Sequence, residues 1–185
     1  MVVNGMSPSA RGSQWANSAI VVELRAEDIP PCADPVMAGL EFQMQYERLS
    51  FTNGGRGQIA PAQRLTDFVE GRVSASLPRT SFTPGVMSSP MHQWLPEFIR
   101  QRLQDGLRQF DRRMRGFYTN EALLIGVESR TSSPLRIPRD PETMQHVQIQ
   151  GLFPCGEGAG YAGGIVSSAL DGQRCAEKVA EFLRK

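Results

Sequence analysis

Apolar positions recur along this chain at two spacings, and the spacing separates helix from strand. Across residues 93–115 they fall every three or four positions, at Leu95, Ile99, Leu103, Leu107, Phe110 and Met114. The opposite face carries Arg100, Gln101, Gln104, Asp105, Arg108, Asp111 and Arg112. This pattern predicts one amphipathic helix, with Pro96 in its first turn. A second helix is predicted over residues 34–49. It opens on Asp34-Pro35, a capping carboxylate followed by a proline suited to the first helical position. Its apolar residues lie on two faces, with Val36, Met37, Leu40 and Met44 on one and Phe42, Tyr46 and Leu49 on the other, so it should pack on both sides. A third helix reaches the C-terminus with an expected inward stripe of Ile165, Ala169, Gly172, Ala176, Val179 and Leu183. Gly172 inside that helix costs roughly 1 kcal/mol against alanine. Either a close helix–sheet contact or a kink would account for it.

Three stretches read as strands. Residues 19–25 are rich in β-branched side chains and apolar on both faces up to Glu23, which places them inside a sheet. Residues 121–128 form a second strand, with Gly126 at a point of close approach. Residues 146–153 form a third. Residues 59–70 suggest a short strand or turn followed by a short helix capped near Ala60 or Pro61. Residues 1–18 read as irregular, and residues 71–90, rich in Ser, Pro, Thr and Gly, as extended or loop. The class is therefore α+β or α/β, a mixed sheet with covering helices.

Composition narrows the function classes. The 185 residues carry 20 basic and 19 acidic side chains, a net charge of +1, which argues against nucleic-acid and membrane-surface partners. No run of about 18 apolar residues predicts a membrane span, and the first residues lack the apolar core of a leader peptide. Three widely spaced cysteines, Cys32, Cys155 and Cys175, point to a reducing compartment rather than a disulfide framework. Cys155 is read as a small core residue in preference to a redox thiol, because no second cysteine stands at C-x-x-C spacing.

The densest signal is in residues 151–172, which hold seven of the chain's 18 glycines between a strand-like and a helix-like run. Gly158-Ala-Gly160-Tyr-Ala-Gly163 matches G-x-G-x-x-G. A dinucleotide fingerprint also needs a second strand ending in an acid about 20 residues on. Here the residues after Gly163 read as one helix, so this is a closing strand and helix rather than an opening βαβ unit. Glu157, between Gly156 and Gly158, stands where a carboxylate could accept from ribose or ribityl hydroxyls; a solvated turn is the plainer reading. Gly163, Gly164, Ile165 and Val166 would offer backbone N–H groups at a helix start, suited to a flavin carbonyl or a phosphate; a plain glycine-rich entry into a helix is the other reading. Tyr161 is read equally as a ring-stacking or a packing residue. Arg130, Ser132, Ser133 and Arg136 concentrate charge and hydroxyls after a strand and suit a carboxylate or phosphate, or simply solvent. The glycine-rich loop at residues 52–56 lacks the Gly-Lys-Ser/Thr ending of a phosphate loop.

Residues 151–165, Gly-Leu-Phe-Pro-Cys-Gly-Glu-Gly-Ala-Gly-Tyr-Ala-Gly-Gly-Ile, resemble the C-terminal segment of a family of FAD-dependent dehydrogenases of bacteria and plastid-bearing eukaryotes. Residues 126–137, 60–64, 51–55, 4–7 and 17–19 carry the same resemblance, which thus spans almost the whole chain. It implies the C-terminal part of a two-domain, Rossmann-type FAD flavoprotein. Residues 1–128 would be the middle domain covering the flavin and substrate, and residues 129–185 the return segment of the FAD-binding domain. Glu157 would then lie near the ribityl and pyrophosphate region, with the backbone from Gly156 through Gly158, Gly160, Tyr161, Ala162, Gly163 and Gly164 to Ile165 leading to the isoalloxazine edge. Arg130, Ser132, Ser133 and Arg136 would border the flavin or substrate cavity. The implied cofactor is FAD, with NAD(P)H a candidate electron donor and the substrate an unidentified small molecule. The adenosine-binding half is expected from an N-terminal part not in these residues. The expected compartment is the cytoplasm, or the plastid in a photosynthetic eukaryote. The alternative is a non-catalytic interaction module that keeps the fold of a flavoprotein fragment. A phosphate binder using Gly158 to Gly163 alone ranks below both.

Overall fold

The structure is a computed structural model and describes residues 1–5 and 9–184. Met6 and Ser7 of the match at residues 4–7 lie outside the described residues. The chain divides into two units, one of residues 1–28 and 44–129, the other of residues 29–43 and 130–185.

The first unit is built on β1 (Ala60–Arg64), the middle strand of a three-stranded mixed sheet. It pairs in parallel with β2 (Val86–Ser88) and antiparallel with β3 (Leu123–Ile125). A proline inside a central strand normally forfeits a ladder bond. Here the register places Gly126 opposite Pro61, and the Gly126 carbonyl, which Pro61 cannot serve, accepts instead from the Ser50 hydroxyl at 3.0 Å. The Pro61 carbonyl accepts from the Gly126 N–H at 3.1 Å. The strand is approached by a reversal that only glycine permits. At Gly54 a Cβ would sit 2.4 Å from the Ile59 carbonyl oxygen, and Gly55 N–H donates to that same oxygen at 3.1 Å. The glycines of residues 52–57 thus serve the chain's own turn.

α2 (Leu65–Glu70) follows β1 directly and ends at Gly71, whose φ of +69° fits a left-handed cap. It carries Leu65, Phe68 and Val69 into a core shared with Met91 and Leu107. Burying side chains of this size contributes about 1.5–3 kcal/mol each. The helix expected over residues 93–115 is two helices, α3 (Met91–Trp94) and α4 (Glu97–Arg113). Pro96 is the reason. The residue before a proline is driven out of the helical region, and Leu95 has ψ of 146°. On α4 the expected inward residues Leu103, Leu107 and Phe110 do face the core, while Met114 is half exposed.

Other expectations are corrected. Residues 19–25 form no strand. No described strand pairs with them, and the Glu23 carbonyl accepts from Arg102 Nη1 at 3.2 Å. Ile20 packs on the core and Val21 is exposed, so the stretch is held by side chains. α1 (Ala38–Asn53) begins later and ends later than expected. Residues 34–37 form a turn in which Asp34 Oδ1 accepts from Val36 N–H at 3.0 Å. Residues 71–90, read as extended or loop, contain the short strand β2 within an otherwise irregular run.

In the second unit, α5 (Ile165–Leu183) is the one long helix. Residues 146–153 are not a strand but a turn. His146 Nδ1 accepts from the N–H groups of Gln148 and Ile149, each at 3.1 Å, and Gln145 Oε1 accepts from Gly151 N–H at 3.0 Å. Side chains thereby capture the donors that a ladder would have used. The stripe expected to face inward on α5 is also corrected. Asp171 and Cys175 are the buried residues of this helix, while Ile165 is 92% and Leu183 75% exposed. None of the helices in the described residues is long and apolar enough to cross a membrane.

The first unit holds a buried polar pair with a pH consequence. Gln63 is fully buried, and its Nε2 stands 2.7 Å from His92 Nδ1 and donates to the Arg72 carbonyl at 2.6 Å. Burial, then the charge of Arg100, holds the His92 imidazole pKa below its usual 6.5. The unfolded chain therefore binds the proton first, and this stability is complete above the ordinary value and is lost as pH falls through it. Thermal melts should show Tm dropping between about pH 7 and pH 5, the range in which an unperturbed histidine titrates. His92→Asn should flatten that segment of the profile; an unchanged slope would mean the imidazole carries no such linkage.

Candidate functional site

The glycine-rich turn is fixed in the second unit by one ion pair. Arg139 Nη2 donates to Asp171 Oδ1 at 2.6 Å and Nη1 to Asp171 Oδ2 at 2.9 Å. The side chains are only 8% and 10% exposed. This fork geometry is the strong form of the interaction, and desolvation makes each partner depend on the other. Two further bonds from this pair hold the turn. Arg139 Nη1 also donates to the Pro154 carbonyl at 2.8 Å, and Asp171 Oδ2 accepts the Gly156 N–H at 2.8 Å. The guanidinium lies 3.6 Å from the centroid of Tyr161, whose hydroxyl donates to the Ile137 carbonyl at 2.9 Å. Arg139 beside Asp171, reinforced by the Gly156 N–H, holds the carboxyl below the ordinary carboxylate pKa despite burial.

The turn that results has two bonds of its own, Gly160 N–H to Glu157 O at 2.9 Å and Tyr161 N–H to Gly156 O at 3.0 Å. It leads into α5, where the Ser167 hydroxyl accepts from the Gly164 N–H at 3.1 Å, as an N3 side chain does in a capping box. The N–H groups of the first helical turn have no partner within their helix, and the helix start carries a positive dipole end. Ile165 and Val166 stand exposed there.

The glycines divide by what a Cβ would meet. Gly156 and Gly160 have φ of +71° and +82°. A Cβ on Gly160 would also lie 2.6 Å from the Leu135 carbonyl oxygen. The chain's own fold explains both. Gly158 has neither excuse: its φ is not left-handed and its Cβ would meet nothing within 4 Å. At Gly163 the nearest atom would be Thr131 O at 3.8 Å, and at Gly164, with φ of −156°, Ser167 Oγ at 3.5 Å. These three exposed glycines thus have room for a Cβ, and at Gly158 nothing at all stands within 4 Å. Such a surface fits a ligand that approaches backbone closely.

Glu157 is exposed at the head of this turn, and no described residue donates to its carboxylate. Ser133 Oγ is tied to the Leu135 and Gly158 carbonyls at 2.8 and 3.3 Å, so it braces the turn from behind. Arg136 lies 4.5 Å from the Tyr161 centroid, which makes Tyr161 a ring held by two guanidiniums and its own hydroxyl bond. Arg130 and Ser132 are exposed, and Ala162 is half-buried between Tyr161 and Gly163. Of the expected side chains, Ser133, Arg136 and Tyr161 meet at this turn, while Arg130 and Ser132 are simply exposed. Of the pair that organises it, Arg139 was open only to the reading given to Arg130 and Arg136, and Asp171 was not expected. No group of three or more His, Cys, Asp or Glu that could hold a metal ion occurs among the described residues.

The chain is a small mixed α/β protein with an open glycine turn at a helix start. Comparison with known proteins gives the family. Residues 1–131 match the family described as "FAD-dependent protein, C-terminal domain-like", and the chain belongs to that family. It is also 40% identical over 183 residues to an uncharacterised protein of Clostridium beijerinckii. That match covers 98% of this chain and 34% of the relative, so the chain spans about a third of the length of the relative it matches. The family match ends at Thr131, before the glycine turn, while the Clostridium match takes in almost the entire chain.

Removing one partner of the buried pair should be costly. Arg139→Met leaves a desolvated carboxylate and should destabilise by on the order of 3 kcal/mol. Denaturant unfolding measures this. Asp171 gives stability that is present above the ordinary carboxylate range and lost as pH falls through its lowered folded pKa, so the wild type should lose stability on acidification and Asp171→Asn should lose less of it. A variant as stable as the wild type would show the pair to be ornamental.

Proposed function

We propose that the chain contributes the closing contact of an FAD site, as the C-terminal part of a longer Rossmann-type flavin-dependent oxidoreductase. The observation that carries this reading is the set of three glycines, Gly158, Gly163 and Gly164, that the unit's own packing and backbone do not require. Membership of an FAD-dependent family supports it.

In this reading the backbone of Gly163, Gly164 and Ile165 presents N–H groups to a polar edge of the cofactor. Glu157 accepts from hydroxyls of the ribityl or ribose chain. Arg130 and Arg136 supply positive charge at the margin. FAD, when bound, supplies the hydride or electron chemistry, and the protein supplies orientation and exclusion of water. The adenosine-binding wall is proposed to come from chain beyond these 185 residues. The exposed apolar residues of α5, Ile165, Val166, Leu170 and Leu183, support a further covering element.

The test uses these 185 residues fused behind the unmatched part of the Clostridium protein, with the whole Clostridium protein as control. Both should purify yellow, with flavin released on denaturation. Gly158→Leu in the fusion should lose most of its FAD while keeping its Tm, because the added side chain fills only the open space. A colourless Clostridium protein would sink the flavin reading. Undiminished flavin in the folded Gly158→Leu fusion would remove this turn from the site.

A further inference from the structure

Cys155 and Cys175 stand apart in sequence, and neither has a partner at motif spacing. The fold brings them together. Cys155 is exposed on the turn, immediately before Gly156, while Cys175 is buried on α5. Cys175 Sγ lies 3.9 Å from the carbonyl oxygen of Pro154, whose carbonyl carbon is bonded to the Cys155 nitrogen, so the buried sulfur sits against the backbone from which the Cys155 side chain springs. Arg139 Nη1 donates to Cys175 Sγ at 3.3 Å. The third cysteine differs: Cys32 Sγ donates to the Asp34 carbonyl at 2.9 Å and has no sulfur partner among the described residues.

We propose that Cys155 and Cys175 form a reversible redox pair, an exposed attacking thiol and a buried resolving thiol, oxidised by low-molecular-weight disulfides. The Cys155 thiolate attacks one sulfur of the small disulfide. That S–S bond breaks, and the first small thiolate leaves with the electron pair. Cys175 loses its proton and attacks the Cys155 sulfur of the mixed disulfide, expelling the second small thiolate. The protein dithiol is oxidised by two electrons, the small disulfide is reduced to two thiols, and the two protons end on those thiols. Burial pushes the Cys175 thiol up, and the Arg139 guanidinium, with Nη1 3.3 Å from the sulfur that must become anionic in the second step, works against that rise. The product ties the start of the glycine turn covalently to α5, beside the Arg139–Asp171 pair. This chemistry goes beyond the flavin reading and does not depend on it.

The 185-residue chain is incubated with oxidised glutathione, blocked with an alkylating reagent and mapped by mass spectrometry without reduction. The expected product has lost two hydrogens, carries no glutathione, and yields one cross-linked peptide pair containing Cys155 and Cys175, with Cys32 alkylated. Cys175→Ser should stop the reaction at the Cys155–glutathione mixed disulfide, and Cys155→Ser should leave Cys175 unmodified. A wild-type chain that retains glutathione on Cys155 with Cys175 free would overturn the proposal. So would a cross-link that involves Cys32. Loss of flavin binding elsewhere would not alter any of these products, so the two readings fail separately.

Discussion

One buried ion pair holds the second unit in the form that gives it a site. Arg139 comes from the irregular stretch before residues 146–153, and Asp171 from the second turn of α5. Between them they bind the Pro154 carbonyl and the Gly156 N–H, the two ends of the entry into the glycine turn. No strand supports this turn, because residues 146–153 close on themselves through His146 and Gln145. The work that a sheet edge does in a dinucleotide fold falls here to a guanidinium and a carboxylate. Such a pair is a poor source of net stability, but it tolerates only one geometry. That property matters more for a ligand cradle than for a core.

The same constraint explains what could be read from the sequence and what could not. Leu103, Leu107 and Phe110 announced their helix face because the core of the first unit is a hydrophobic one, and periodicity reports hydrophobic burial. β3 and the β1–α2 junction were legible for the same reason. On α5 the rule misled. The apolar stripe through Ile165 and Leu183 is exposed, and the face turned inward is set by Asp171, a residue that patterning assigns to solvent. An acid at the buried face of a helix whose N-terminal half is small and apolar was the available signal, together with an arginine far away in sequence. Neither is distinctive until the fold brings them to 2.6 Å. Residues 19–25 and 146–153 had strand composition, but a strand needs a neighbour, and composition does not say whether one is present. Pro96 was read as a tolerated first-turn proline, whereas its effect on Leu95 divides the helix.

The candidate site was legible in outline because glycine is informative when its reason is known. Gly54 and Gly160 are demanded by close backbone contacts, Gly71 and Gly156 by left-handed conformations. Among the glycines of residues 151–164, Gly158, Gly163 and Gly164 remain once these and the left-handed Gly151 are subtracted. They lie at the one long helix start of their unit, next to a carboxylate that no described residue engages. The family is described as FAD-dependent, its match ends at Thr131 ahead of this turn, and the chain corresponds to about a third of its Clostridium relative. The turn itself has a polar brace behind it and exposed backbone before it.

The central claim, that this turn contacts the flavin, is tested most directly by amide hydrogen exchange. The protein is the fusion of these residues to the unmatched part of the Clostridium relative, compared with and without FAD. The account predicts slowed exchange at Gly158 and at the residues 163–166 of the α5 start when FAD is added, with little change at Phe68 or Leu107 in the first unit's core. Saturating FAD that leaves residues 158–166 exchanging at their free rate would contradict it.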